Sequence, residues 1–305
     1  MKTTASLLAS VALALGLATT AQAVDTRALT STNTIVSFDS ATPGTITSTV
    51  TLSGITIGDA VVGIDYRPAD NVFIGLGYNG AAGTARVYSI SAAGVATSIN
   101  SNTLTLGLGL ARVTADFNPT ANVIRVVTSA ATGNNLRITA AGTGPLAADT
   151  DLTPANTGIR ATAFSRNNAG GGTSGATTLY EIDGTNNALV TQGSVDFFTG
   201  SGTSPNTGTI STVAALVGAV GSTIVGFDIF NAPGTAAASA GTAFVATSTT
   251  LSSLNLANGT VTPIGIIGTG LTIVDIATVP EPASMTLCGL AVVTFAGFSR
   301  KRRKA

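Results

Sequence analysis

From Arg27 to Val279 the chain is a succession of short apolar or alternating runs, each ended by Gly, Asn, Asp or Pro. Alternation at period two places one side of an extended segment inward, and turn residues at its end mark a strand boundary. No stretch in this range repeats apolar residues at helical spacing, so the pattern predicts an all-β body. The runs also recur. Val61-Val62-Gly63-Ile64-Asp65-Tyr66-Arg67-Pro68 returns as Arg112-Val113-Thr114-Ala115-Asp116-Phe117-Asn118-Pro119. Weaker copies lie at Ala161–Ser165, Val225–Ile229 and Ile273–Ile276. Aligning Asp65, Asp116, Ala163, Asp228 and Asp275 gives a period of about 50 residues, with one longer interval that holds Gly170–Gly175 and Thr199–Gly208.

A second strand unit follows each of the first four copies and ends in a small polar turn: Val87–Ile90 before Ala93-Gly94, Leu136–Ile138 before Ala141-Gly142, Leu179–Ile182 before Asp183-Gly184, and Leu254–Leu256 before Asn258-Gly259. Another short strand comes after each turn. The N-terminal piece has only the later units (Ala28–Thr30, Thr34–Asp39, Thr45–Leu52), and Leu271–Thr278 supplies only the first. Pairing both ends in one blade would close a ring with backbone hydrogen bonds and leave only short edges. The expected fold is therefore a β-propeller over residues 24–278, with five four-stranded blades and a split closing blade. An irregular β-sandwich or solenoid is the alternative.

Composition narrows the chemistry. Hydrophobic residues make up 44% and charged residues 9% of the 305, against roughly 25% charged in ordinary soluble domains. Between Val24 and Pro280 eight Arg face thirteen Asp or Glu, and Lys occurs only at Lys2, Lys301 and Lys304. A mildly acidic body without Lys is a poor partner for nucleic acid. His and Trp are absent and Cys288 is the only cysteine. Intramolecular disulfides, Ser-His-Asp and Cys-His catalysis, and His- or Cys-built zinc sites are excluded. Neither a cofactor nor a metal is expected.

The two ends carry addresses. Met1-Lys2, the apolar run Leu7–Leu17 and Ala21-Gln22-Ala23 form the three parts of a secretory signal peptide over residues 1–23, with cleavage after Ala23. The Sec translocon and signal peptidase are the expected partners. At the other end, residues 279–305 run through Val279-Pro280-Glu281-Pro282 into an apolar stretch, Ala283–Ser299, and then Arg300, Lys301, Arg302, Arg303 and Lys304. About 17 apolar residues can form a short transmembrane helix. The basic cluster holds its end in the cytoplasm, which places the body outside with Pro280, Glu281 and Pro282 at the outer surface. The two prolines keep that segment extended.

Two resemblances follow from these residues. G-I-D-Y-R-P, G-L-G, R-V-Y-S-I, A-D-F-N-P, I-R-V-V, N-N-L-R and T-T-L-Y-E-I-D, in that order over Ala28–Ala277, resemble the bacterial domain of unknown function 4394, which implies a β-propeller and no established activity. Ala163 departs from the Asp of the other copies. The tail resembles a PEP-CTERM sorting signal. That implies recognition by exosortase, a membrane cysteine-type processing enzyme of Gram-negative bacteria that make exopolysaccharide.

Asp65, Asp116, Asp228 and Asp275 are the candidates for a shared role, facing a central channel or capping turns by bonding local amides. Asp149, Asp151 and Asp183 are candidates for calcium, although no D-x-D-x-D-G loop is present. Arg67, Arg112, Arg125, Arg137, Arg160 and Arg166 are candidates for an anionic sugar. Nothing marks a glycosidase carboxylate pair. The expected function is an exported, exosortase-processed surface or matrix protein with a non-enzymatic role, anchored for a time in the cytoplasmic membrane facing the periplasm. Exopolysaccharide or another matrix component is the expected partner. A polysaccharide hydrolase or lyase and a lectin-like binder are the alternatives.

Overall fold

A computed structural model describes residues 23–67, 72–99, 103–139, 142–165, 177–197, 202–231 and 241–279. Most of the signal segment, including Ala21, the span 280–305 with the sorting motif and basic cluster, and Arg166 lie outside the described residues. Among the described residues no helix is long and apolar enough to cross a membrane.

The described chain is five antiparallel sheets in sequence. β1 (Asp25–Thr30), β2 (Thr34–Asp39) and β3 (Ile46–Thr51) begin blade 1. β4 (Ala60–Arg67), β5 (Val72–Asn79), β6 (Thr84–Ile90) and β7 (Ala96–Ser98) form blade 2, where β8 (Leu104–Thr105) also pairs with β6. Blade 3 is β9 (Val113–Asn118), β10 (Val123–Thr128), β11 (Asn135–Ile138) and β12 (Leu146–Ala148). Blade 4 is β13 (Ile159–Phe164), β14 (Thr177–Asp183), β15 (Ala188–Phe197) and β16 (Ile210–Ala215). Blade 5 is β17 (Ile224–Phe230), β18 (Thr242–Thr247), β19 (Thr250–Leu254) and β20 (Val261–Ile266). The last strand, β21 (Ile273–Val279), returns to blade 1 and pairs with β1 from Asp25↔Val279 to Thr30↔Ile273. The ring is a five-bladed β-propeller closed by a split blade, as the strand inventory predicts. The final strand runs to Val279, one residue beyond the expected limit.

Local sequence explains these elements. Asn33, Asn122 and Asn187 occupy the left-handed region at φ 52, 55 and 52 in the tight turns between strands, a conformation Asn tolerates better than most residues. Gly77 in β5 lets the blade pack tightly, since a Cβ there would stand 2.7 Å from the Tyr88 ring. Each junction between neighbouring blades holds one apolar cluster. Inner strands are almost wholly buried, whereas β3 and β16 are mostly exposed and rich in Thr and Ser. Polar residues on an edge strand blunt its tendency to pair with other chains.

The five innermost strands are β21, β4, β9, β13 and β17, and each has a ladder partner on one side only. Half of their backbone N–H groups therefore point at the axis, where no strand is available to accept them. Buried N–H groups left unpaired cost about 1–3 kcal/mol each. That requirement shapes the centre of the molecule.

Candidate functional site: an axial carboxylate cluster

Asp65 on β4, Asp116 on β9 and Asp228 on β17 bring one carboxylate oxygen each within 4.8 Å of one another, and all three are buried. Their oxygens accept the inner-edge N–H groups at one level of the ring. Asp65 accepts from Tyr66 at 2.6 Å and from Phe117 of the next blade at 2.7 Å. Asp116 accepts from Phe164 of blade 4 at 2.6 Å. Asp228 accepts from Ile229 at 2.6 Å, and its other oxygen accepts both the N–H and the hydroxyl of Thr278 on β21. The five donors are the residues that follow Asp65, Asp116, Ala163, Asp228 and Ala277, one in each blade. Three carboxylates thus satisfy all five blades.

The pattern explains Ala163. Where the preceding blade carries Ala at this level, as at Ala163 and Ala277, the following blade's Asp turns one oxygen back onto its own next N–H. Asp65 and Asp228 each take two donors and Asp116 takes one. A fourth or fifth carboxylate would have no donor left to accept.

Asp275 does not belong to this level. It accepts the N–H of Ile64 at 2.9 Å, one residue before Asp65, and a Cβ on Gly63 would lie 3.4 Å from its Oδ2. Its counterparts are thus Gly63 and Gly226, two residues earlier than Asp65 and Asp228, and Ala277 stands where the repeat alignment puts Asp275. A two-residue offset keeps the side chain on the same strand face, which is why the repeat pattern does not separate the two registers.

Electrostatics follow from burial. Asp65 and Asp116 are pushed well above the usual carboxylate range by desolvation and by neighbouring carboxylates. Burial raises Asp228 to about 6 against the hydrogen bonds from Thr278, and Asp275 to about 8 against the Ile64 bond and Arg112. Asp65 and Asp116 are also hydrogen-bonded to each other, which needs a proton between them, as in other carboxylate pairs that cannot both ionise. One oxygen from each of Asp65, Asp116 and Asp228 could surround a hard cation at oxygen-ligand spacing, but five of the six oxygens already accept N–H groups.

Arg112 works at the same core. Its Nε donates to the Arg160 carbonyl at 2.6 Å and its Nη2 to the Val225 carbonyl, tying blade 3 to blades 4 and 5. The other basic candidates do not gather on one face, although Arg125 and Arg137 stand opposite each other across β10 and β11. Arg67 lies over the Phe117 ring at 5.7 Å, and Arg125 and Arg137 both donate to Asp149 at 2.7 Å. The calcium candidates do not converge either. Asp149 is held by those two arginines, Asp151 accepts from Gly133 and Asn134, and Asp183 accepts from Asn156, Thr185 and Asn186.

A buried polar network between blades 3 and 4 escapes the sequence pattern. Arg125 donates to Asn135 and Asn206, and Gln192 donates to Asn135 and to the Pro205 carbonyl. Glu181 sits in β14 with both oxygens buried and without a hydrogen-bond partner, as is Gln192 Oε1. Burial raises Glu181 to about 8, with Arg125 opposing. The available signal is a lone acid inside T-T-L-Y-E-I-D, a strand in which every residue is buried.

The family model described as "Domain of unknown function (DUF4394)" matches residues 34–277. No curated protein matches the chain. Among solved structures, a functionally unknown protein from Desulfotomaculum acetoxidans is 13% identical at TM-score 0.39, with 85% of this chain and 90% of that one covered. A Lactobacillus plantarum protein is 17% identical at TM-score 0.37, covering 83% and 70%. An auxiliary nutrient binding protein from Bacteroides thetaiotaomicron is 13% identical at TM-score 0.42, covering 82% and 60%. These scores carry no functional argument.

Proposed function

The chain belongs to the DUF4394 family, and on that premise we propose a non-enzymatic, exported surface or matrix protein that acts by binding. One observation carries the non-enzymatic part. The cluster with the most chemical potential is buried, and five of its six oxygens accept backbone N–H groups that hold the blades together. General acid–base or nucleophilic work needs a carboxylate within reach of substrate, and these carboxylates are structural acceptors. Support for export comes from Met1-Lys2, Leu7–Leu17 and the Ala21-Gln22-Ala23 site, and from the tail with Pro280, Glu281, Pro282 and the cluster Arg300–Lys304. On this reading signal peptidase cuts after Ala23 and an exosortase processes the tail near the Pro-Glu-Pro segment.

Cell fractionation with intact-mass measurement tests the proposal. The expected result is a surface or matrix protein that begins at Val24 and lacks Cys288. A cytoplasmic protein that keeps Met1, or a surface protein that keeps Cys288 and the basic cluster, overturns the export or the processing part respectively. Turnover of the host exopolysaccharide that is lost on Asp116→Asn overturns the non-enzymatic part.

A further inference from the structure

A cleft of about 400 Å³ opens at the junction of blades 1 and 2. Register sets its two walls face to face. On blade 1, Arg27 pairs with Ala277 and Ser37, and Ser37 with Ser48. These side chains share a sheet face with Leu29 and Ile35, which pack against blade 2. On blade 2, Tyr66 pairs with Phe73 and Phe73 with Ile90, and Phe73 and Ile90 pack in that same core cluster. Ile35, Tyr66 and Ile90 form the base and are only 6–8% exposed. The accessible surface comes from half-buried Val50, Phe73 and Val279, from exposed Ser48, and from Arg27, whose side chain is 26% exposed. Arg27 is the only charged side chain lining the cleft among the described residues.

The molecule fills the equivalent place in another junction with its own chain. Ala277 and Asp116 stand at one level, each just before an axial N–H donor. Arg27, which pairs with Ala277, and Arg125, which pairs with Asp116, are therefore counterparts. Facing Arg125 across blades 3 and 4 are Phe164, Leu179 and Gln192 in register, the counterparts of Tyr66, Phe73 and Ile90. Beyond Gln192, the connection to β16 brings in a 3-10 turn, Pro205–Thr207, with Pro205 buried. Arg125 gives Nη1 to Asp149 and Nη2 to Asn206 Oδ1 at 2.6 Å. Asn135 and Gln192 donate to the Pro205 carbonyl. Beyond Ile90, the connection to β7 is only Ser91–Val95, too short to carry such a turn. Arg27 gives Nη2 to Asp25 at 2.8 Å, as Arg125 gives Nη1 to Asp149. Its Nε and Nη1 remain for a second acceptor.

The built-in turn shows what this place accepts: an apolar ring followed by a side-chain carbonyl oxygen on the arginine. One difference refines the ligand. Val127 and Leu29 each lie two residues past the arginine, and they pair with Asn135 and Ile35 respectively. Ile35 and Ile90 thus replace the two carboxamides that hold the Pro205 carbonyl, so the cleft between blades 1 and 2 demands more apolar surface and fewer backbone bonds. A bare anion would leave Phe73 and Val50 uncovered and compete with Asp25, whereas a wholly apolar segment would leave Arg27 unanswered. We propose that this cleft binds a peptide segment of another polypeptide, in which an apolar residue precedes one with a side-chain carboxamide or carboxylate. The proposal rests on the reading of the protein as a binding module and gives that module its partner class.

The test titrates the full chain calorimetrically with two blocked tetrapeptides, Ser-Pro-Asn-Thr, the sequence of residues 204–207, and Ser-Pro-Glu-Thr. Ser-Pro-Leu-Thr, blocked in the same way, is the control without an acceptor. At least one of the first two is expected to bind with a Kd below about 1 mM, with the control at least about ten-fold weaker. Arg27→Met, and Ser48→Trp, which fills the cleft from an exposed position on β3, are each expected to weaken binding about ten-fold. Both should keep the thermal midpoint within about 3 °C of the parent. Failure of both peptides up to about 10 mM, whatever else occupies the cleft, overturns the proposal. Equal binding of the control, or full binding by either folded variant, also overturns it. Fractionation of the same cells keeps the two readings apart. Matrix-located protein that binds neither peptide removes the cleft assignment alone, and cytoplasmic protein removes the export reading whatever the titrations give.

Discussion

Restoring the repeat by Ala163→Asp is expected to harm the protein. Ala163 is fully buried, and the N–H that its carboxylate would reach, that of Ile229, already bonds Asp228. The introduced carboxyl enters a site at least as dry as that of Asp275, which rises from 3.8 to about 8 even with an N–H bond and Arg112 in its favour. The folded pKa lies above the unfolded one, so the folded state holds the extra proton. The penalty is absent below about pH 3.8 and grows as pH rises. At pH 7 it spans roughly 3 pK units, or about 4 kcal/mol. Ala163→Asn has nearly the same shape and no charge, so it carries the packing cost alone. Urea unfolding followed by tyrosine fluorescence, convenient in a chain without Trp, reads both variants at pH 4 and pH 7. The Asp variant should match the Asn variant at pH 4 and fall about 4 kcal/mol below it, or be unfolded, at pH 7. An Asp variant as stable as the Asn variant at pH 7 refutes the donor count on which the reasoning rests.

Two further outcomes follow from the same titrations. Asp228, raised from 3.8 to about 6, contributes stability that is present below its unfolded pKa and is lost as pH rises to 6. Denaturant titrations from pH 4 to 7 should show the wild type losing about 2 kcal/mol more than Asp228→Asn, and parallel slopes contradict this. Glu181, raised from 4.5 to about 8 without a hydrogen-bond partner, disfavours the fold increasingly between those values. The stability of Glu181→Gln relative to wild type should therefore improve by about 3 kcal/mol from pH 4.5 to pH 7, and a difference that stays flat shows that Glu181 ionises freely.

The blade plan was legible because strand, turn and repeat signals are all local. A run such as Val61–Arg67 alternates and stops at a turn, and the unmatched pieces at Thr34–Asp39 and Leu271–Thr278 require a shared blade. The candidate site was legible only in part. Asp65, Asp116 and Asp228 stand out as repeated acids, but who accepts whose N–H depends on the stagger between neighbouring inner strands, which no local pattern encodes. Asp275 shows the limit: period two fixes its face and leaves its level open. Glu181, Arg125 and Gln192 meet across a blade junction from distant parts of the chain, so their partnership has no sequence spacing at all.

The pairing of β1 with β21 joins the first of the described strands to the last. Asp228 reaches Thr278 on that same final strand, so the axial network also lacks a member until β21 arrives. A nascent chain can build blades 2 to 5 in order, but blade 1 remains three strands of four with an open flank until Val279 has emerged. Such open flanks invite pairing with other chains. The completed ring is consequently a report that synthesis has passed Val279, and any factor that recognises the closed blade 1 would recognise only molecules whose five blades are complete.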